Sequence, residues 1–276
     1  WQGLFGFCGR GDVSRRMMPQ FPLITRWLGE HGVSLVVSAP RDPEGLCSFS
    51  EEARLAEVMQ VHRKSEFLTG RSAACEALAG CGGPVCAIPQ GERGEPIWPA
   101  GYRGSITHTK GLVAAACMAQ THPVFVPAAL NGTEVLHQKK ILAVGIDLEG
   151  AGRKLSDAAW HHILSDDDAQ HLAGVDDFRL KLVVFSAKES LYKALYPLCG
   201  EFFGFHDASL QFGSFWGIDS GRELAAGASS GMLSGEAVLR VDRSLGGGCC
   251  ARGTMALCRW EVDGDWLLTA VLLPAD

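Results

Sequence analysis

A mixed α/β (α+β) fold is what this sequence predicts, on three observations. Short β-type runs, Ser34–Ala39, Leu112–Met118 and Ile141–Glu149, alternate with helical stretches that open at Ser50, continuing through His62, and at Val184. Two further runs, Met255–Val262 and Trp266–Leu273, flank Asp263-Gly264, the residue pair of a tight hairpin turn. The chain has 276 residues, 47% hydrophobic and 20% charged, enough to bury a large core in one or two domains. The Pro-, Asn- and Gly-bearing stretch 120–140 reads as a connector, which divides the chain into halves 1–140 and 141–276.

Composition removes several classes of function. A net charge of −6 argues against nucleic acid as the main partner, which requires a broad basic surface. It leaves room for a small phosphorylated ligand, which needs only a local basic pocket. No apolar run reaches the eighteen or more residues of a membrane span. The ten cysteines contain no C-x-x-C pair and sit in apolar surroundings, so buried thiols in a reducing compartment, cytoplasm or organelle lumen, are expected. Because the chain begins at Trp1 rather than Met, its start reads as trimmed, and targeting is left open.

In chain order, Pro40 and Pro43 close the strand over 34–39, and Ser50 opens a helix as an N-cap with Glu51 and Glu52 in the first turn. Helical character continues from His62 to Leu78 and ends at Gly80, Gly82, Gly83 and Pro84. Arg63 and Arg71 lie eight apart there, roughly 80° around a helix, so they either converge on one anion or face solvent. Residues 88–99 are too rich in Gly and Pro for regular structure, and lead into Gly104-Ser105-Ile106-Thr107-His108-Thr109. Thr107 and His108 are either hydrogen-bonded turn residues or part of a loop whose amides suit a phosphate.

The run 141–149 carries the first chemical signal. As a strand it places Leu142, Val144, Ile146 and Leu148 on one face and Ala143, Gly145, Asp147 and Glu149 on the other. Two carboxylates on one face raise each other's pKa unless a cation separates them. A hard divalent ion such as Mg²⁺, shared with ligand phosphates, fits; the alternative is a strand end turning into solvent at Gly150. Residues 151–182 read as polar helix, with Asp166-Asp167-Asp168 a solvated helix start. The segment Phe185-Ser186-Ala187-Lys188-Glu189-Ser190-Leu191-Tyr192-Lys193-Ala194 reads as a helix start with a Ser186–Glu189 capping box and a Glu189–Lys193 ion pair. Phe202, Phe203 and Phe205 suit a hydrophobic wall or lid, and 213–235 a variable surface region.

Four segments, Glu66–Leu78, Gly104–Thr109, Val144–Glu149 and Phe185–Ala194, occur in the order in which they stand in the 4′-phosphopantetheinyl transferases of the Sfp type. The chain resembles that family, and in particular its enterobactin-synthetase component D branch, over about residues 60–210. The resemblance implies a pseudo-twofold fold of two similar halves, acting as a monomer. It implies a holo-acyl-carrier-protein synthase reaction: a serine of an apo acyl or peptidyl carrier protein attacks the β-phosphate of coenzyme A, and 3′,5′-ADP leaves. Carried over by position, Asp147, Glu149 and Glu189 would hold Mg²⁺, or Mn²⁺ in its place. Glu189 would act as base, Lys193 on the leaving phosphate, and Lys188 in support of the phosphates. His108 beside Thr107 would contact a coenzyme A phosphate, and Arg63 and Arg71 the 3′-phosphate and adenine end.

This chain departs from the family in carrying Gln90-Gly91 where relatives often have lysine before glycine, with Arg93 nearby to take over. Two other classes compete: a Mg²⁺-dependent phosphohydrolase using the same three acids, and a coenzyme A-binding module without turnover. Carrier proteins are typically acidic, so the resemblance predicts that basic residues gather near the cleft.

Overall fold

The computed structural model describes residues 18–46, 49–109, 111–120, 123–130, 133–174, 177–216 and 233–275. The expectations for residues 1–17, and for 217–232 within the Gly/Ser-rich stretch, lie outside these. Helix α1 (Pro22–Glu30) leads into β1 (Val33–Ser38), followed by α2 (Ser50–Glu57) and α3 (Val61–Gly80). Strands β2 (Tyr102–Thr109) and β3 (Leu112–Ala119) complete a three-stranded antiparallel sheet in the order β1-β3-β2. Thr107 and His108 therefore lie on a strand, not in a turn or phosphate loop. Pairing along the whole length of β3, whose residues are all buried, decides this against the small-residue composition.

Strands β4 (Pro123–Leu130) and β5 (Thr133–Gly150) form a hairpin where a connector is expected. The Val124-Phe125-Val126 run pairs with β5, and β4 is an edge strand, where Pro123 and Pro127 are tolerated. β5 thus runs unbroken through residue 140, the boundary read from sequence. After α4 (Asp157–Ile163), α5 (Asp166–His171) and α6 (Phe178–Cys199) come β6 (Ala208–Trp216), β7 (Leu233–Val241), β8 (Met255–Asp263) and β9 (Trp266–Pro274). The second sheet is antiparallel in the order β4-β5-β9-β8-β7-β6. Asp263 pairs with Trp266 across the expected hairpin, with Gly264 at φ 59°, the left-handed conformation that such a turn requires.

The alternation read in 141–149 sets the layers from Ala143 on; Leu142, expected on the core face, is exposed and Ile141 is buried in its place, across a register shift between Ile141 and Ala143. Val144, Ile146 and Leu148 face Leu112, Ala114 and Met118 of β3 and Leu268 and Leu272 of β9, forming an apolar layer between the two sheets. Each fully buried Leu or Ile there contributes roughly 1.5–3 kcal/mol. The opposite face of β5 meets α6, whose Val183, Val184, Ala187, Leu191 and Leu195 are buried against Val271, Leu239 and Trp260. Gly145 is where strand and helix backbones approach most closely. A Cβ there would overlap the Ser190 carbonyl and come within 2.9 Å of the Ala194 nitrogen. Gly145→Ala is therefore expected to lower stability by about 1–3 kcal/mol and to displace α6; denaturant unfolding measures the loss.

The two sheets also join by side chains. Ser105 Oγ accepts from the Ile146 amide at 3.1 Å and Thr107 Oγ1 from the Leu148 amide at 3.2 Å. Two hydroxyls on alternate β2 positions thus satisfy the β5 amides that face away from β9.

Candidate active site

Helix α6 starts at Phe178, capped by the Asp177 side chain, which accepts from the Arg179 amide at 2.9 Å. Ser186 is consequently interior to the helix, and the capping box read from sequence does not exist. The apolar face continues upstream through Leu180, Val183 and Val184, so the helix extends two turns before Ser186. Freed from capping, Ser186 Oγ donates to Asp147 Oδ2 at 2.9 Å and lies 2.9 Å from Thr269 Oγ1. Nor does Lys193 fold back onto Glu189. Its ammonium reaches across to β5, to Asp147 Oδ1 at 2.6 Å, and also donates to Thr107 Oγ1 at 3.1 Å.

Asp147, 5% exposed, is thus held from three sides by Lys193, Ser186 and Thr107. Glu149, also buried, accepts from Arg153 Nη1 at 2.6 Å. Burial and the Asp147 charge push the Glu149 carboxyl up to about 7, and the same two causes raise that of Glu189. Since native Glu149 holds its proton to higher pH than the unfolded chain, the metal-free protein loses this group's stabilisation as pH rises from about 4.5 to about 7. Melting in chelator should therefore fall more steeply across that window for the wild type than for Glu149→Gln.

These acids are the oxygen-donor set that a hard divalent ion takes. Such an ion would offset the Asp147 charge that, after burial, raises both glutamates. Among the described residues, no group of three or more His, Cys, Asp or Glu side chains is placed to hold a metal ion; Lys193 and Arg153 hold Asp147 and Glu149 instead.

A cleft of about 480 Å³ opens beside these acids, and Glu189 lines it. The 1–140 side contributes Arg63, Gln90, Arg93 and Ser105, and α6 contributes Glu189 and Lys193. Tyr192, Tyr196, Phe202, Phe203 and Phe205 form its aromatic wall, with the Tyr192 ring centroid 5.3 Å from Phe203 and 5.4 Å from Tyr196. Arg63 Nη1 donates to His108 Nε2 at 2.6 Å. Burial, reinforced by Arg63 and Lys193, pushes His108 down to about 4, so the ring is neutral near pH 7. Its proton then sits on Nδ1, 3.5 Å from Glu66 Oε2.

Not every expected residue lines the cleft: of the three acids only Glu189 does, and Thr107, His108, Asp147 and Glu149 do not. Arg71 is buried, 5.0 Å over the Phe67 ring, and is absent from the cleft lining, so the two arginines do not meet on one face. Its Nη1 has no hydrogen-bond partner among the described residues. Lys188, whose backbone helps to line the cleft, is 3% exposed and donates to Ile163 O at 3.0 Å, to Phe205 O at 2.7 Å and to Asp168 Oδ2. All three ammonium protons are spent, which gives it a structural task in place of phosphate support. Its partner Asp168, 1% exposed, is likewise no solvated acid: it completes a capping box with Ser165 and accepts from the Leu210 amide at 2.7 Å. The Ser165–Asp168 spacing is the sequence signal that could have found it. Arg153 and Ser105 carried no such signal. Of the thiols, Cys117 and Cys258 are buried as expected, whereas Cys249 is exposed.

Comparison with known proteins places these features in a family. Residues 51–118 match the model of the 4′-phosphopantetheinyl transferase N-terminal domain, and 143–229 that of the 4′-phosphopantetheinyl transferase superfamily. The chain is 30% identical to 4′-phosphopantetheinyl transferase Npt of Nocardia iowensis, over 83% of this chain and 90% of the relative. It is 30% identical to 4′-phosphopantetheinyl transferase PptT of Mycobacterium tuberculosis, over 84% and 88%. Enterobactin synthase component D of Salmonella typhimurium is 34% identical over a shorter span, 48% of each chain. Helix α6 and the acid-bearing end of strand β5 lie within the second matched segment, and the chain belongs to the 4′-phosphopantetheinyl transferase superfamily.

Proposed function

We propose that this chain is a holo-carrier-protein synthase, moving the phosphopantetheine arm of coenzyme A onto a serine of an apo acyl or peptidyl carrier protein in the cleft between halves 1–140 and 141–276. The observation that carries this reading is that Glu189 and Lys193 line one cleft together with Arg63 and Arg93, with Asp147 held to Lys193 at 2.6 Å. The carrier serine oxygen forms a bond to the β-phosphorus of coenzyme A, and the bond to the bridging oxygen of 3′,5′-ADP breaks. Glu189, whose proton affinity is raised by burial and by Asp147, accepts the serine proton. Lys193, fixed by Thr107 and Asp147, faces the phosphate that departs.

Asp147, Glu149 and Glu189 are the residues that would hold Mg²⁺ or Mn²⁺, and the ion would neutralise charge on the pyrophosphate. Neutral His108 offers no charge of its own; it holds Arg63 toward the cleft, where the guanidinium and Arg93 suit anionic phosphates and an acidic carrier. Gln90 lines the same mouth and contributes an amide where a cation is usual in the family. Arg71, buried over Phe67 and absent from the cleft lining, would take no part in the phosphate grip as it stands. Aromatic residues 192–205 offer an apolar wall to the uncharged part of the arm.

Arg63→Ala is expected to raise the KM for coenzyme A about tenfold, with kcat changed less, because it removes a charge-assisted phosphate contact without touching the acids. An unchanged KM would remove Arg63 from the phosphate grip. The reading as a whole is tested by measuring 3′,5′-ADP with and without apo carrier. Release only when the carrier is present supports transfer. Hydrolysis of coenzyme A at the same rate without it would establish the phosphohydrolase instead. Among the described residues no helix is long and apolar enough to cross a membrane.

A further inference from the structure

The turn that follows β5 returns Arg153 to the carboxylate four residues before it. The Arg153 amide closes this turn on the Gly150 carbonyl at 2.9 Å, and Nη1 reaches Glu149 Oε1 at 2.6 Å. The guanidinium lies 5.0 Å over the ring of Phe185, which stands one turn before Glu189 on α6. It therefore sits where the strand that carries Glu149 faces the helix that carries Glu189, and its charge acts on both acids. With Lys193 on Asp147 and Arg153 on Glu149, two of the three acids each have a cation at 2.6 Å. Side-chain exposures of 18% for Arg153 and 11% for Glu149 mean that the pair is only partly screened by water.

We propose that Arg153 is a built-in counter-ion that competes with the divalent cation for Glu149, keeping the acids paired while the ion is absent and setting how tightly it binds. The proposal rests on the metal assignment made above for Asp147, Glu149 and Glu189. Arg153 is a positioning residue, since it acts through Glu149 and does not line the cleft. The aromatic ring beneath it fixes the guanidinium in place, so that binding an ion requires Glu149 to exchange one partner for another.

Calorimetric titration of the free enzyme with MnCl₂ and MgCl₂ tests this without turnover. Arg153→Gln is expected to bind Mn²⁺ on the order of tenfold more tightly than wild type, because a positive charge next to the ion is gone. Arg153→Lys, which keeps the charge, should stay within about threefold of wild type. In chelator, Arg153→Gln should melt below wild type, and saturating Mn²⁺ should close the gap. Arg153→Met, which keeps the stem on Phe185, provides the same comparison if the Gln variant does not fold. Equal or weaker Mn²⁺ affinity in a folded Arg153→Gln, with binding lost in Glu149→Gln, overturns the counter-ion while the metal site stands. Identical titrations of wild type and Glu149→Gln would overturn both.

Discussion

Glu189→Gln is expected to reduce kcat by at least about 10³ while leaving the protein as stable as wild type or more so. Proton acceptance by a positioned base is worth about 10²–10⁴ in rate, and the amide also withdraws one of the three acids. Stability should not suffer, because burial and the Asp147 charge both disfavour the ionised form of Glu189. The Tyr192, Tyr196 and Phe203 wall on the same helix and the adjoining segment stays packed in the variant. Steady-state transfer kinetics paired with thermal melting read both halves of this expectation. Near-normal transfer would return Glu189 to the role of an ordinary helix residue.

The second large effect lies at Lys188 and is on stability. Lys188→Met leaves Asp168 buried without its cation and strips the Ile163 and Phe205 carbonyls of a donor. Breaking a buried pair from one side costs about 3–5 kcal/mol. The damage should spread to the Ser165 cap and the Leu210 amide, since both depend on the same carboxylate. Denaturant unfolding of the variant measures the loss, and adding Asp168→Asn should recover part of it. A variant as stable as wild type, with only the KM for coenzyme A raised, would instead place Lys188 on the phosphates.

The strand faces of 141–149 were legible because a period of two is a strong local signal, and Asp147 and Glu149 share that legibility. The C-terminal end of helix α3 was readable within two residues from its punctuation by Gly and Pro, whereas the break that separates α2 from α3 carries no such mark. What escaped depends on distant pairing. β6 runs through a sequence without clear alternation and is formed by its register with β7. The stretch 102–109 reads as loop because Gly, Ser and Thr have low apolar content, yet its hydroxyls are what stitch β2 to β5. Helix α1, opened by a left-handed Phe21 and proline, receives its N-terminal partner from Glu261, whose Oε2 accepts from the Ile24 amide at 2.9 Å across 237 residues. No local pattern reports such a cap. Around the site, residue types named the acids, but their partners came from the fold: Lys193 chose Asp147 over Glu189, and Lys188 chose Asp168 over the cleft.

The most direct measurement is the intact mass of an apo carrier protein after incubation with the enzyme, coenzyme A and Mg²⁺. Transfer predicts a carrier heavier by one phosphopantetheine, with the gain lost when the carrier serine is replaced by alanine and when the enzyme carries Glu189→Gln. A carrier whose mass does not change, across acyl and peptidyl carriers alike and with folded enzyme present, would contradict it.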